Sequence, residues 1–290
     1  MKLWTIFTAS VLLLNVNVNA MDKVVYGEDN RLDIFEVTNP LHLKLAKSTA
    51  GMVSTGNLQE ISSDTYKLTG SKLKVCSDEK FNGQVTSASC SGFLVEHNDK
   101  QYMVTAGHCV TSQSACKRTA WVFDFAKTSE NQTEYTVPKS SVYTCSKLVE
   151  RKLISSTQDD YAVIELDRVV TDREALTFRK SGDIQVGEEI LVIGHPTGLP
   201  TKVADDAFVR TSSNDVYFVA NLDTFAGNSG SAVFNATSGE VEGILVRGHT
   251  DYTWRRGEDG KSCQAPVYCG MEECRGEDVT KITSIDFFRN

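Results

Sequence analysis

Three stretches carry residue types that do chemistry together. Leu222-Asp-Thr-Phe-Ala-Gly-Asn-Ser-Gly-Ser-Ala-Val233 sets Ser229 between Gly227 and Gly230, just ahead of an apolar run. Glycines take backbone angles that other residues avoid, so this segment can turn tightly and aim amide N–H groups inward. A nucleophilic serine needs such a turn, with its hydroxyl exposed and backbone donors placed where negative charge develops on an attacked carbonyl. Alone, the stretch reads equally well as a surface turn, because Gly, Asn and Ser are the usual turn residues. Two upstream stretches change the balance. Met103-Val-Thr-Ala-Gly-His-Cys-Val110 offers His108 as a base, and Asp159-Asp-Tyr-Ala-Val-Ile-Glu-Leu166 offers a carboxylate to orient it.

The chain order is His108, Asp160, Ser229, which is the chymotrypsin-type order and not that of subtilisin or the α/β-hydrolases. The hydrolase elbow Gly-x-Ser-x-Gly also fails, since Ser231 stands at its second glycine. On Thr105-Ala-Gly-His-Cys109, Asp160-Tyr-Ala-Val-Ile164 and Gly227-Asn-Ser-Gly-Ser231 the sequence resembles the trypsin/chymotrypsin-type serine proteases. Within them it is most similar to the secreted bacterial branch that includes the glutamyl endopeptidases. The resemblance spans roughly Val24 to Gly248.

That resemblance implies a role for each residue. Ser229 is the nucleophile, His108 the base, and Asp160 the carboxylate that fixes the imidazole tautomer. Asp160 is preferred to Asp159 because Asp-x-Ala before apolar residues is the family pattern. The amides of Gly227 and Ser229 would form the oxyanion hole. The primary pocket would be lined by Asn221–Gly227 and Ile244–Thr250, with Asp223, Thr224, Leu245, Arg247 and Gly248 as its substrate-binding residues. Asp223 lies six residues before Ser229, where trypsin-like enzymes bind Lys or Arg. Leu245 stands where glutamyl endopeptidases place a histidine, so strict glutamate specificity is not expected and the lean is toward Arg or Lys. Arg247 and His249 could bring positive charge from the groove. The alternative is that Asp223 is a structural acceptor and Arg247 is solvated. A bridge between Cys90 and Cys109 is implied as well. In trypsin-like zymogens a new N-terminal amine pairs with an aspartate just before the serine; Asn228 there carries no charge, so an N-terminus near Val24 must act differently, if it acts at all.

Positioning these residues falls to strands. From about Lys72 onward, short apolar or alternating runs recur at Ser91–Glu96, Gln101–Thr105, Ala120–Phe125, Tyr161–Leu166, Glu189–Ile193, Val216–Ala220, Ser231–Phe234 and Val241–Val246. Gly, Asn, Asp, Ser or Pro separate them. Many strands and few helices indicate an all-β barrel or sandwich. The resemblance sharpens this to two antiparallel six-stranded β-barrels, chymotrypsin-like, with the active site in the cleft between them. The first barrel is expected at about 70–170 and the second at about 185–270, crossing near Arg168–Ile184, within a protease domain of 66–290. Asn39-Pro40 suits a helix start, although Leu41, Leu43 and Leu45 alternate as in a strand. Residues 21–65 are read as an N-terminal segment subject to partial removal; Val24-Val-Tyr-Gly-Glu-Asp-Asn-Arg31 is similar to the start of mature glutamyl endopeptidase-like chains, which implies processing near Val24 or Val25.

Met1–Ala20 reads as a secretory signal, with Lys2, an apolar run and small residues before a cut after Ala20. The run is too short for a membrane anchor. Secretion or a periplasmic location follows. Eight cysteines then suggest disulfides, whose pairing sequence alone does not choose. A zinc site at Cys263, Cys269 and Cys274 is disfavoured, since their spacing lacks a Cys-x-x-Cys pair. A net charge of −8 speaks against nucleic acid as partner, and no membrane contact is expected. The expected partners are protein or peptide substrates, with protein inhibitors as a further class; no cofactor and no metal are called for. The expected function is a secreted serine endopeptidase working through an acyl-enzyme. The alternative is a catalytically silent protease-fold binding protein, which loss of a triad member would have favoured. A periplasmic heat-shock type protease is disfavoured, because only 61 residues follow Ser229 (290 minus 229).

Overall fold

The computed structural model describes residues 24–289. The expected signal segment Met1–Ala20 lies outside them. Twelve strands form two closed barrels. The first contains β1 (Thr49–Ser54), β2 (Ala88–His97), β3 (Lys100–Thr105), β4 (Thr119–Val122), β5 (Val142–Ile154) and β6 (Asp159–Leu166). They close in the order β4-β5-β6-β3-β2-β1. The second contains β7 (Glu189–Gly194), β8 (Lys202–Thr211), β9 (Tyr217–Ala220), β10 (Ala232–Asn235), β11 (Val241–Arg247) and β12 (Glu277–Lys281). Their order is β7-β10-β11-β12-β9-β8, and a β7–β8 pairing closes the ring. All these pairings are antiparallel. Antiparallel neighbours allow tight hairpins: β2 and β3 are joined by Asn98 and Asp99, both at positive φ (51° and 58°), as a twist-matched two-residue turn requires.

Side-chain alternation makes the two barrels one body. Leu94, Met103 and Ile164 point into the first barrel, while Phe93, Val95, Val104 and Val163, one residue away, point out. In the second barrel Ile190, Val192, Leu245 and Val279 fill the interior, while Leu191, Ile193, Ile244 and Val246 point out. The two outward sets meet in one apolar seam with Phe234 and Tyr161. Each fully buried side chain of this size contributes about 1.5–3 kcal/mol. These strands are therefore buried on both faces and read as near-continuous apolar runs.

The barrel limits differ from those expected. The first begins at Thr49, not near 70, and the second runs to Lys281, not to about 270. The described part of 21–65 is built into the fold. Val25–Tyr26 pairs with Tyr268–Cys269, Leu32–Asp33 pairs with β8, and α1 (Pro40–Ala46) buries His42 and Leu45. The helix reading at Asn39-Pro40 holds: Asn39 Oδ1 accepts from the Leu41 amide at 2.9 Å and Pro40 takes the first turn. The crossing between barrels occupies residues 167–188. It is pinned to both, through Val95 with Leu176 and Phe178 with Val241. Disulfides join Cys76 to Cys263, Cys90 to Cys109, Cys116 to Cys145 and Cys269 to Cys274. Cys263, Cys269 and Cys274 are thus all oxidised, which removes the zinc alternative. No helix among the described residues is long and apolar enough to cross a membrane.

Candidate active site

His108 sits just past the end of β3, on a loop that only a glycine permits. A Cβ on Gly107 would lie 2.2 Å from the Lys152 carbonyl oxygen and 2.8 Å from that of Tyr161. Arg151 Nε donates to the Gly107 carbonyl at 2.7 Å, and the Cys90–Cys109 bridge ties the loop to β2. Asp160, on β6, is buried and engages His108 with both oxygens. Oδ1 accepts the His108 amide at 3.0 Å and Oδ2 lies 2.8 Å from Nδ1. An ionised carboxylate there puts the ring proton on Nδ1 and leaves Nε2 as the basic nitrogen. Asp159 accepts instead from the Thr157 hydroxyl. Of the two adjacent carboxylates, Asp160 is therefore the one that orients the histidine.

Ser229 lies on the turn between β9 and β10. Gly227 and Gly230 have φ of +90° and +91°, where side chains are strained. Packing excludes them too: a Cβ on Gly230 would meet the Ser91 carbonyl oxygen at 2.1 Å and the Ala106 nitrogen at 3.1 Å. The turn thus touches the residue two before His108. The Ser91 amide donates to the Ser229 carbonyl at 2.8 Å, and Cys109 Sγ lies 3.6 Å from the same oxygen. The structure so brings His108, Asp160 and Ser229 to one place. His108 and Asp160 are directly bonded, and Ser229 is held alongside through its backbone. Its hydroxyl makes no hydrogen bond with another described residue, as is common before substrate binds. The Asn228 amide donates to the Phe225 carbonyl at 2.9 Å, while the amides of Gly227 and Ser229 on either side have no acceptor among the described residues.

The expected pocket residues are placed differently from one another. Asp223 is buried and accepts the amides of Tyr26 and Asn30 at 2.7 and 2.9 Å. Burial pushes its carboxyl up to about 7. Its carboxylate is thus engaged with the N-terminal segment, which is the structural-acceptor alternative, and not presented to a cationic substrate side chain. Thr224 donates its amide to the Val24 carbonyl at 3.2 Å and its hydroxyl to Glu277 Oε2 at 2.9 Å. Leu245 points into the second barrel's core, not the groove. Arg247 turns away from the groove too. Its Nε bonds Asp278 at 3.0 Å, its Nη2 donates to the Gln158 carbonyl at 3.2 Å, and its Nη1 stands 3.8 Å from Asp160 Oδ2. Gly248 packs directly on Glu277, since a Cβ there would be 1.9 Å from Glu277 Oε2. His195 is a buried core residue, stacked on Phe125 with its Nδ1 donating to the Leu199 carbonyl at 2.9 Å, and burial pushes it down to about 4.

Sequence reasoning missed Glu277, Asp278 and Thr280, whose hydroxyl donates to the Asp160 carbonyl at 3.3 Å. All three lie on β12, where Glu277-Asp-Val-Thr-Lys281 is buried throughout although mostly polar. The only available signal was a pair of acids directly before a β-branched pair.

Residues 90–244 match the family of trypsin-like peptidase domains. A curated relative, a probable periplasmic serine endoprotease, DegP-like, from Halomonas elongata, is 33% identical over 124 residues. That match covers 41% of this chain and 25% of the relative, so the chain spans about a quarter of the relative's length. Among solved structures, the VesB protease of Vibrio cholerae aligns with a TM-score of 0.50 at 15% identity, covering 88% of this chain and 64% of that one. A Glu endopeptidase aligns with a TM-score of 0.48 at 18% identity, covering 84% and 93%. At such identities the VesB likeness speaks to the fold alone, which is the chymotrypsin-like pair of barrels.

Proposed function

Because the chain belongs to the family of trypsin-like peptidase domains, we propose that it is a secreted serine endopeptidase that works through His108, Asp160 and Ser229. The observation that carries this reading is the two-oxygen grip of Asp160 on His108, beside a glycine-flanked Ser229. Ser229 Oγ attacks the scissile carbonyl carbon, and its proton passes to His108 Nε2. The carbonyl oxygen takes the negative charge and is met by the amides of Gly227 and Ser229, each contributing about 3 kcal/mol or more. His108 returns the proton to the leaving amine, which departs and leaves an acyl-Ser229 ester. Water, activated by the same imidazole, then releases the acid. Asp160 holds the tautomer and offsets the imidazolium charge. Met1–Ala20 and the four disulfides support secretion or a periplasmic location.

On specificity, the engaged state of Asp223 shifts attention to Glu277. This acid lies against Thr224 and Gly248, both expected in the pocket wall. A Lys or Arg side chain before the scissile bond is therefore favoured, through Glu277.

A fluorophosphonate probe followed by peptide mapping tests the reading. Label on Ser229, absent from Ser229→Ala and greatly slowed in His108→Ala, is expected. Label elsewhere, or equal peptide cleavage by Ser229→Ala, would overturn it. A folded chain that takes no label at all would be the silent binding protein instead.

A further inference from the structure

We propose that Arg247 is a positioning residue for Asp160, a strut from the second barrel that holds the first barrel's carboxylate on the imidazole. The proposal rests on Asp160 being the triad carboxylate. Three contacts fix the guanidinium. Nε bonds Asp278 Oδ2 at 3.0 Å, Nη2 donates to the Gln158 carbonyl at 3.2 Å, and Nη1 faces Asp160 Oδ2 at 3.8 Å. The side chain is 19% exposed and that of Asp278 1%, so the pair is largely withdrawn from water. Arg275 bonds the same Asp278 oxygen at 2.5 Å, and the Arg247 guanidinium carbon lies 5.7 Å from the centre of the Tyr217 ring.

The oxygen that Nη1 faces is the one bound to His108 Nδ1. At 3.8 Å the contact is a charge contact and not a hydrogen bond. A fixed cation there attracts that oxygen and opposes rotation of the carboxylate off the ring. The Gln158 contact grips the residue two before Asp160, so the same guanidinium steadies both the acid and the chain that leads to it. The geometry comes from a bulge in β11: the register with β12 shifts between Leu245 and Arg247, which re-aims Arg247 toward Asp160. A solvated arginine, or one that reaches for substrate, would not be bonded to Asp278 and the Gln158 carbonyl while facing Asp160.

The test uses the full secreted chain, with turnover normalised to fluorophosphonate-titrated Ser229 so that unfolded molecules do not count. Arg247→Gln should lower kcat about 10- to 100-fold with KM within about twofold, the size of effect that a misplaced catalytic group produces. Arg247→Lys keeps a charge but loses the fork, and should fall between parent and Gln. The deciding measurement is the pair with Asp160→Asn. If Arg247 acts through Asp160, adding Arg247→Gln to Asp160→Asn lowers kcat no further. Full loss again in the double variant, or parent kcat in Arg247→Gln alone, would overturn the proposal. If Asp160→Asn itself turns over like the parent, the triad assignment fails first and Arg247 falls with it.

Discussion

Replacing Asp223 with Asn makes stability respond to pH in a way that separates structure from recognition. Burial holds the Asp223 carboxyl at about 7 against an ordinary 3.8, outweighing the amide bonds from Tyr26 and Asn30 that pull it down. Between those values the unfolded carboxyl has lost its proton and the folded one has not. The unfolded state then binds fewer protons, so stability falls as pH rises through the window and the full penalty stands above it. A window of 7 minus 3.8, at about 1.36 kcal/mol per pH unit, gives about 4 kcal/mol. His195 has the opposite sign. Burial lowers it from 6.5 to about 4, so the unfolded state takes up its proton first and stability falls as pH drops, by about 3 kcal/mol. These two contributions nearly cancel in this window. The difference between parent and Asp223→Asn is not flat. Asn forfeits one amide acceptor at about 1–3 kcal/mol, but does so at every pH. Relative to the parent, Asp223→Asn should therefore gain about 4 kcal/mol between about pH 4 and about pH 8. Urea unfolding of both chains, each carrying Ser229→Ala to prevent self-digestion, measures this. Parallel curves across the range would refute the reasoning.

Two further outcomes are expected. Opening the Cys76–Cys263 bridge (separation 187) with Ala at both ends should destabilise by about 2 kcal/mol more than opening Cys90–Cys109 (separation 19), by loop-closure entropy. Only the second loss should also slow Ser229 labelling, because that bridge carries the His108 loop; denaturant unfolding and probe kinetics read the two. With peptides carrying Lys, Arg, Glu, Leu or Phe before the scissile bond, Glu277→Gln should reduce kcat/KM for Lys and Arg selectively, and Asp223→Asn should not. The reverse pattern would return the pocket acid to Asp223.

How much was legible follows from burial. Strands buried on both faces, such as β2, β3, β7 and β11, showed as apolar runs and were found nearly to their ends. The candidate triad was legible because a nucleophile turn, a base and a carboxylate each need particular residue types, and their chain order then tells apart the families that use them. β5 was not legible: its second half is exposed or half-buried, and two bulges break its alternation. β12 hid for the opposite reason. Polar residues normally signal a surface, and here they are inside with partners: Glu277 with Thr224, Asp278 with Arg247 and Arg275, Thr280 with Asp160 and Lys281 with Ser212. The pocket residues failed for a geometric reason. The family resemblance located Leu245 and Arg247 along β11, but alternation sent Leu245 into the core, and the bulge sent Arg247 to Asp160. The docking of residues 24–30 was only half legible: Val24, Val25 and Tyr26 form a buried apolar string, but the main-chain bonds to Asp223 and the pairing with Tyr268–Cys269 leave no side-chain pattern.

The partners on β12 explain why a buried polar strand is tolerated at the seam. A site shared by two barrels works only if neither barrel slides, and an apolar seam resists separation better than it resists sliding, because its contacts are non-directional. Hydrogen bonds supply direction. Here they cross the seam both ways. Ser91 of the first barrel bonds the carbonyl oxygens of Gly227 and Ser229, through its hydroxyl and its amide. Thr280 and Arg247 of the second barrel hold Asp160 and the chain before it. Each barrel therefore fixes the proposed catalytic residue that the other contributes. A small slide would strain both sets together, and unmet buried polar groups cost about 1–3 kcal/mol each. The polar interior of β12 and the paired glycines around Ser229 are thus two parts of one device, which fixes the register of the barrels where Ser229, His108 and Asp160 meet.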